Sequence, residues 1–202
     1  MNTARDLAVL ALAASPETPV EQGDVSLALA GAELLDLVEA GALTVDADHI
    51  VPGARPQTGD HLLDEAAAAF VRQEPYESVE DWLWRRGQGL SAAYSAALES
   101  EGLATRSRAR RLPVRPGRTV LLDTPERTRA EERRASGEPV FAALATAAGL
   151  QDDQPDTLED LTDDTVTAVL AAVGDAVMEL EGVRQRRAIE NSAFDNIWRG
   201  GV

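Results

Sequence analysis

The chain has 202 residues, 44% hydrophobic and 27% charged, which suits one domain with a core of its own. It holds no cysteine and only two histidines, His49 and His61, which excludes disulfides, thiolate nucleophiles, Cys-based metal centres and a His-rich one. A formal net charge of −16 argues against generic affinity for nucleic acid, and the wealth of Ala, Leu and Val with 4% aromatics favours helices over sheets.

At the N-terminus an apolar stretch of only Leu7 to Ala14 follows Asp6, an acid where a signal peptide needs positive charge. No run approaches a membrane span, so a cytoplasmic location without a transmembrane segment is predicted. Asp6 to Ala14 reads as a first helix with Thr3 as a candidate cap, broken at Pro16 to Pro19. A second helix starts at Asp24 or Ser26 and carries Leu27, Leu29, Ala30, Leu34, Leu35, Leu37 and Val38, a broad apolar face at three- and four-residue steps. Gly41 suits the left-handed residue that releases a helix. Leu43 to Val45 and His49 to Val51, around Asp46-Ala47-Asp48, predict a small hairpin.

A third helix is expected from Asp60 to about Gln73, a short one capped by Ser78 with Val79, Trp82 and Leu83, and a longer one from Ser91 to Ser100. The last ends as the second does: Leu98 to Leu103, with Gly102, echoes Leu37 to Leu43, with Gly41. Leu103 to Thr105, an Arg-rich turn and Thr119 to Leu122 then form a second β unit. A helix followed by a wing, twice, is a winged-helix-like arrangement. Beyond Pro125, helices are predicted at Thr128 to Ala135 and Val140 to Ala148, then a polar loop from Gln151 to Asp160. A long helix follows, with Val166, Val169, Leu170, Val173, Val177 and Leu180 on one face. A separate final helix is expected at Ile189 to Trp198, packing by Phe194, Ile197 and Trp198. The fold class is mainly α: one compact helical domain over residues 1–202, with a helix-bundle core and one or two short β hairpins.

All 19 basic residues are arginine, and they are unevenly spread. From Arg106 to Arg134 ten arginines face four acids, a local +6 inside a chain that is otherwise −22. Arg106 to Arg118 can be a phosphate-contacting wing or a solvated loop that pairs with the acidic remainder. Thr58-Gly59-Asp60 can anchor an anion at a helix N-terminus, although a plain Asp60 cap explains it more simply. Asp60, His61, Asp64 and Glu65 fall on two helix faces and make a poor metal site. Of Trp82 and Trp84, two apart, one is expected in the core; the other can cover a groove or stack on Arg85 or Arg86. No nucleophile–base pair or phosphate loop stands out, so the chain reads as a binding module rather than an enzyme, with no cofactor.

The segment Leu7 to Phe70 resembles the Golgi phosphoprotein 3 family, which has many bacterial members. The resemblance rests on Ala30-Gly31-Ala32-Glu33-Leu34-Leu35-Asp36-Leu37, on Gly41-Ala42-Leu43 and above all on Thr58-Gly59-Asp60-His61-Leu62-Leu63-Asp64-Glu65-Ala66. It continues through Trp82, Leu98 to Leu103 and Leu121-Leu122-Asp123 to about Ala135. It implies a compact helical fold with small hairpins and, as in the eukaryotic members, phosphatidylinositol 4-phosphate binding, peripheral membrane attachment and an adaptor role toward protein tails.

In that family the headgroup site pairs a tryptophan and an arginine around the second helix with basic residues after the second wing. Here Glu21 and Ala30 fall at the first two positions, which removes phosphate contacts. Arg127, Arg129, Arg133 and Arg134 occupy the second stretch and are the candidate headgroup residues. Arg134 to Val140 is too short and polar for the family's membrane-inserting hairpin. The expected function is a peripheral module for an anionic lipid headgroup or a protein tail, in the cytoplasm or on the inner membrane face. The alternatives are a winged-helix-like DNA-binding regulator and an acidic protein-interaction adaptor.

Overall fold

A computed structural model describes residues 2–14, 20–55, 57–107, 118–152 and 163–199. The mainly helical reading holds, with eight helices and two antiparallel strand pairs among those residues. Helix α2 (Gln22–Glu39) is the axis, and α1 (Thr3–Ala13), α3 (His61–Ala68), α4 (Val79–Arg86), α5 (Leu90–Ser100), α7 (Pro139–Ala147) and α8 (Asp164–Arg199) pack around it. Every position of α2 from Val25 to Leu37 is buried. Each Leu or Val so removed from water contributes roughly 1.5–3 kcal/mol, far more than the few tenths that separate helix propensities, so packing fixes this helix. Helix α6 (Pro125–Ser136) lies outside, against α1.

Several boundaries differ from the sequence reading, for local reasons. Helix α1 begins at Thr3 because Asn2 is the cap: its side chain accepts from the Arg5 N–H at 2.8 Å. The next free donors of that turn, the N–H groups of Thr3 and Ala4, reach across to the Asp36 carboxylate on α2 at 2.9 and 3.0 Å. Helix α2 starts at Gln22, ahead of Asp24, and α3 stops at Ala68, though Phe70 still packs in the core, 4.5 Å from the Trp82 ring. The expected final helix is no separate element. The backbone of α8 runs unbroken from Asp164 to Arg199. The turn from 108 to 117 and the loop from 153 to 162 lie outside the described residues.

The helix–wing repeat appears bond for bond. After α2, the Gly41 and Ala42 N–H groups close on the carbonyls of Val38 and Leu37, each at 2.9 Å; after α5, Gly102 and Leu103 do so on Glu99 and Leu98 at 3.1 and 2.9 Å. Both glycines have positive φ, 67° and 77°, as this helix ending requires. The hairpins that follow are β1 (Leu43–Asp46) with β2 (His49–Pro52), and β3 (Ala104–Ser107) with β4 (Arg118–Leu121). Each is tied at its base by one more bond to the residue after the glycine: Gly53 N–H to the Ala42 carbonyl, and Leu122 N–H to the Leu103 carbonyl, both 2.8 Å.

Candidate functional site

Helix α6 carries all four candidate arginines. Thr124 caps it by accepting from the Arg127 N–H, Pro125 occupies its first turn, and Gly137 ends it at φ 69°. Ala130 is its one buried residue and seats it against the body. The spacing then divides the arginines. Arg129 and Arg133, four apart, face α1, while Arg127 and Arg134, seven apart, share the other side.

The inner pair converges on Asp6 of α1. Arg129 donates twice to one Asp6 oxygen, at 2.9 and 3.1 Å, and Arg133 reaches the other at 3.3 Å. Arg133 also donates to Glu138 at 2.6 Å and to the Thr3 hydroxyl, and its guanidinium stands 4.6 Å over the Phe141 ring. Its side chain is 10% exposed, so it works as a clamp among α1, α6 and α7. Arg129 keeps 55% of its side chain in solvent. On the outer side Arg127 pairs with Glu131 one turn on, at 2.8 Å, while Arg134 is exposed with no side-chain partner among the described residues. Sequence reasoning counted the arginines but missed Asp6, which lies 123 residues before Arg129. The available signal was an acid on the apolar side of a helix, since a buried carboxylate requires a partner.

The positions matching the first half of the family's headgroup site are closed. Ala30 is fully buried, and its carbonyl accepts from the Trp82 indole at 3.4 Å. Arg184 of α8 lies over the start of α2, bound to Asp24 at 2.7 and 3.0 Å and 4.0 Å from Glu21. A side chain at Gly23 would meet Leu180 at 2.6 Å. Acids and an overlying helix therefore stand at these positions, and the Arg184 guanidinium that reaches them is taken up by Asp24.

The other constellations resolve as structure. Asp60 caps α3 by accepting from Leu62 and Leu63, and it also holds the Asn2 amide. That leaves those N–H groups unavailable to an anion. Asp64 turns to the Thr58 N–H and hydroxyl, at 2.9 and 2.8 Å, which hold its carboxyl below the usual range. Among the described residues no set of three acidic or histidine side chains could hold a metal ion. Trp82 is in the core with the Arg85 guanidinium 5.1 Å over its ring, and Trp84 is partly buried against the core.

Inside the core, Glu33 is fully buried and meets Arg86 at 2.7 and 2.8 Å and the Tyr94 hydroxyl at 3.1 Å. Burial raises the Glu33 carboxyl above its usual range against the pull of Arg86 and Tyr94, and burial likewise holds the Tyr94 hydroxyl well above its own, as a donor. Helix α2, which precedes the first wing, is buried along its length and cannot enter a DNA groove. Among the described residues no helix is long and apolar enough to cross a membrane.

A comparison with curated proteins found no match. The family profile described as Golgi phosphoprotein 3 (GPP34) matches residues 4–194, nearly the whole chain, including every element from α1 through most of α8. With the helical core and paired wings in place, this chain belongs to the Golgi phosphoprotein 3 family.

Proposed function

We propose that this chain is a peripheral binding module that takes an anionic lipid headgroup, or the anionic part of a protein tail, at α6. Arg127 and Arg134 make the contacts on the outer side of α6, the solvent-exposed part of Arg129 adds positive charge beside α1, and Arg133 holds the helix in place. The supporting observation is the exposure of Arg129 and Arg134 on a helix fixed by a buried clamp. Guanidinium groups on a rigid element bind phosphate with little ordering cost, and Arg127 can leave its exposed pair with Glu131, which solvent screens. The closed first half of the family site leaves one cationic wall instead of two. The reading is therefore general anion recognition without phosphoinositide selectivity. It assigns the chain no catalytic role.

Flotation with phosphatidylcholine vesicles containing phosphatidylglycerol, cardiolipin or phosphatidylinositol 4-phosphate tests this. Binding at low salt that tracks vesicle charge and is lost in the triple variant Arg127→Ala/Arg129→Ala/Arg134→Ala is expected. No flotation at low salt, or flotation unchanged in the triple variant, overturns the lipid reading.

A further inference from the structure

Helix α8 outruns the body it packs on. Its buried contacts are Val169, Val173 and Ala176, and from Gln185 to Asn191 every residue is exposed. About 22 Å of helix extends past Arg184. An isolated helical arm of that length is marginal in water unless another surface supports it.

One face of α8 carries such a surface. Met178 and Ile189, 68% and 69% exposed, are the two most exposed large apolar side chains among the described residues. They stand eleven residues apart, three turns along one line of the helix, with Gly174, Gly182 and Gln185 between or beside them. A side chain added at Gly174 or Gly182 would meet nothing within 4 Å, so this line faces outward. Toward its N-terminal end the line borders an apolar groove of about 430 Å³ between α7 and α8, lined by Ala143, Ala147, Leu170, Val177 and Met178.

The charges and spacing along α8 say what fits there. From Asp164 to Gly182 it carries Asp164, Asp175, Glu179 and Glu181 and no arginine; past that point it carries Arg184, Arg186, Arg187 and Arg199 against Glu190 and Asp195. A helix acidic in its first half and basic in its second complements itself when turned end for end. The outward line has the same symmetry. About a level between Val183 and Arg184, Met178 lies opposite Ile189 and Gly182 opposite Gln185, and Glu179 flanks the line on the same side as Arg186.

We propose that α8 pairs antiparallel with α8 of a second copy of this chain. Met178 packs on the partner's Ile189, the two glycines allow close approach, and Glu179, on the same flank of the helix as Arg186, pairs with the partner's Arg186 on each side of the seam. This interface is isologous and closes at a dimer. It does not depend on the lipid reading, because it uses no residue of α6.

Sedimentation equilibrium of the full chain over a concentration series is the first test. A monomer–dimer equilibrium is expected, weakened at least about tenfold by Ile189→Glu, whose exposed site leaves the melting curve unchanged when both chains are dilute enough to be monomers. Arg186→Glu and Glu179→Arg should each lose self-association and regain it when mixed. The chain has no cysteine of its own, so the register can be read directly. Met178→Cys mixed with Ile189→Cys should form a disulfide-linked dimer under oxidation, while each alone stays unlinked because its own mate is about 16 Å away. A monomeric mass at every concentration, a dimer indifferent to Ile189→Glu, or single-cysteine variants that link to themselves as readily as the mixture would each overturn the proposal. So would vesicle flotation that depends on Ile189 without dimerisation, since a membrane would then be the occupant.

Discussion

Arg86, at the end of α4, closes on Glu33 in the middle of α2 with two parallel hydrogen bonds, 2.7 and 2.8 Å, on a carboxylate that has no exposed surface. A third donor bond from Arg86 to the Leu62 carbonyl, at 3.0 Å, brings in the end of α3's first turn, and the Tyr94 hydroxyl adds α5. One buried carboxylate thus joins four helices.

Removing Arg86 should therefore cost far more than its position at a helix end suggests. Arg86→Ala leaves Glu33 charged in the core with Tyr94 alone, and a loss of about 3–5 kcal/mol is expected from urea unfolding. Replacing both, Glu33→Met with Arg86→Met, should recover a large part. An Arg86→Ala loss under about 1 kcal/mol would show that the pair is not holding the helices.

The four arginines of α6 should separate by role. Arg133→Ala strands part of the buried Asp6 and removes the guanidinium from Phe141, and should cost about 1–3 kcal/mol. Arg127→Ala and Arg134→Ala should stay within about 0.5 kcal/mol of the native chain in thermal melts. If all four behave alike, the division of α6 into a clamp and a binding face is wrong.

The helix pattern that leads to these sites was largely legible. Gly41 and Gly102 each follow a run of helix formers and precede β-prone residues, and a positive-φ ending is the economical way to make that change. The arginine run was legible as composition. Its partition was not, because nothing local in Asp6 or Arg129 names a partner on another helix. The unbroken α8 was missed for a related reason. Apolar periodicity stops at Leu180 because Gln185 to Asn191 are all exposed, while the backbone needs no buried face to stay helical over polar residues such as Gln185 to Arg187.

Acid should act on two carboxylates, Asp64 and Asp36, with opposite sign. Thr58 holds Asp64 below the usual range, so its contribution is present above the unfolded value of about 4 and is lost as pH falls through the lower folded value. The melting difference between native and Asp64→Ala should be steady from neutral pH to about 4.5 and shrink below it. Asp36 is raised by burial, against the pull of the Ala4 and Thr3 N–H groups. Its contribution is present below the unfolded value and fades as pH rises through the folded one. A difference for Asp64→Ala that grows on acidification would contradict this assignment.

Gly31 and Gly174 offer a paired test of how α8 sits. A methyl at Gly31 would meet Val173 at 2.4 Å, so Gly31→Ala must push α8 off α2 and should destabilise by about 1–3 kcal/mol. Gly174→Ala meets nothing and should stabilise by about 0.5–1 kcal/mol through helix propensity alone. Equal effects at both would mean that α8 does not lie directly on α2.

The single bond at the base of each hairpin has a consequence for how this chain can change over time. Gly53 on Ala42, and Leu122 on Leu103, fasten the two ends of each wing to the helix ending beneath it. The first wing also packs Ile50 in the core and bonds to the chain at Glu77 and Val79, whereas among the described residues the second is buried only at Ala104 and Leu121, next to its fastening. Loop closure adds only about 0.6 kcal/mol for each doubling of length, so the second wing is the place where a segment can be exchanged, extended or grafted while the helices keep their arrangement. New specificity could be tried there on an unchanged frame.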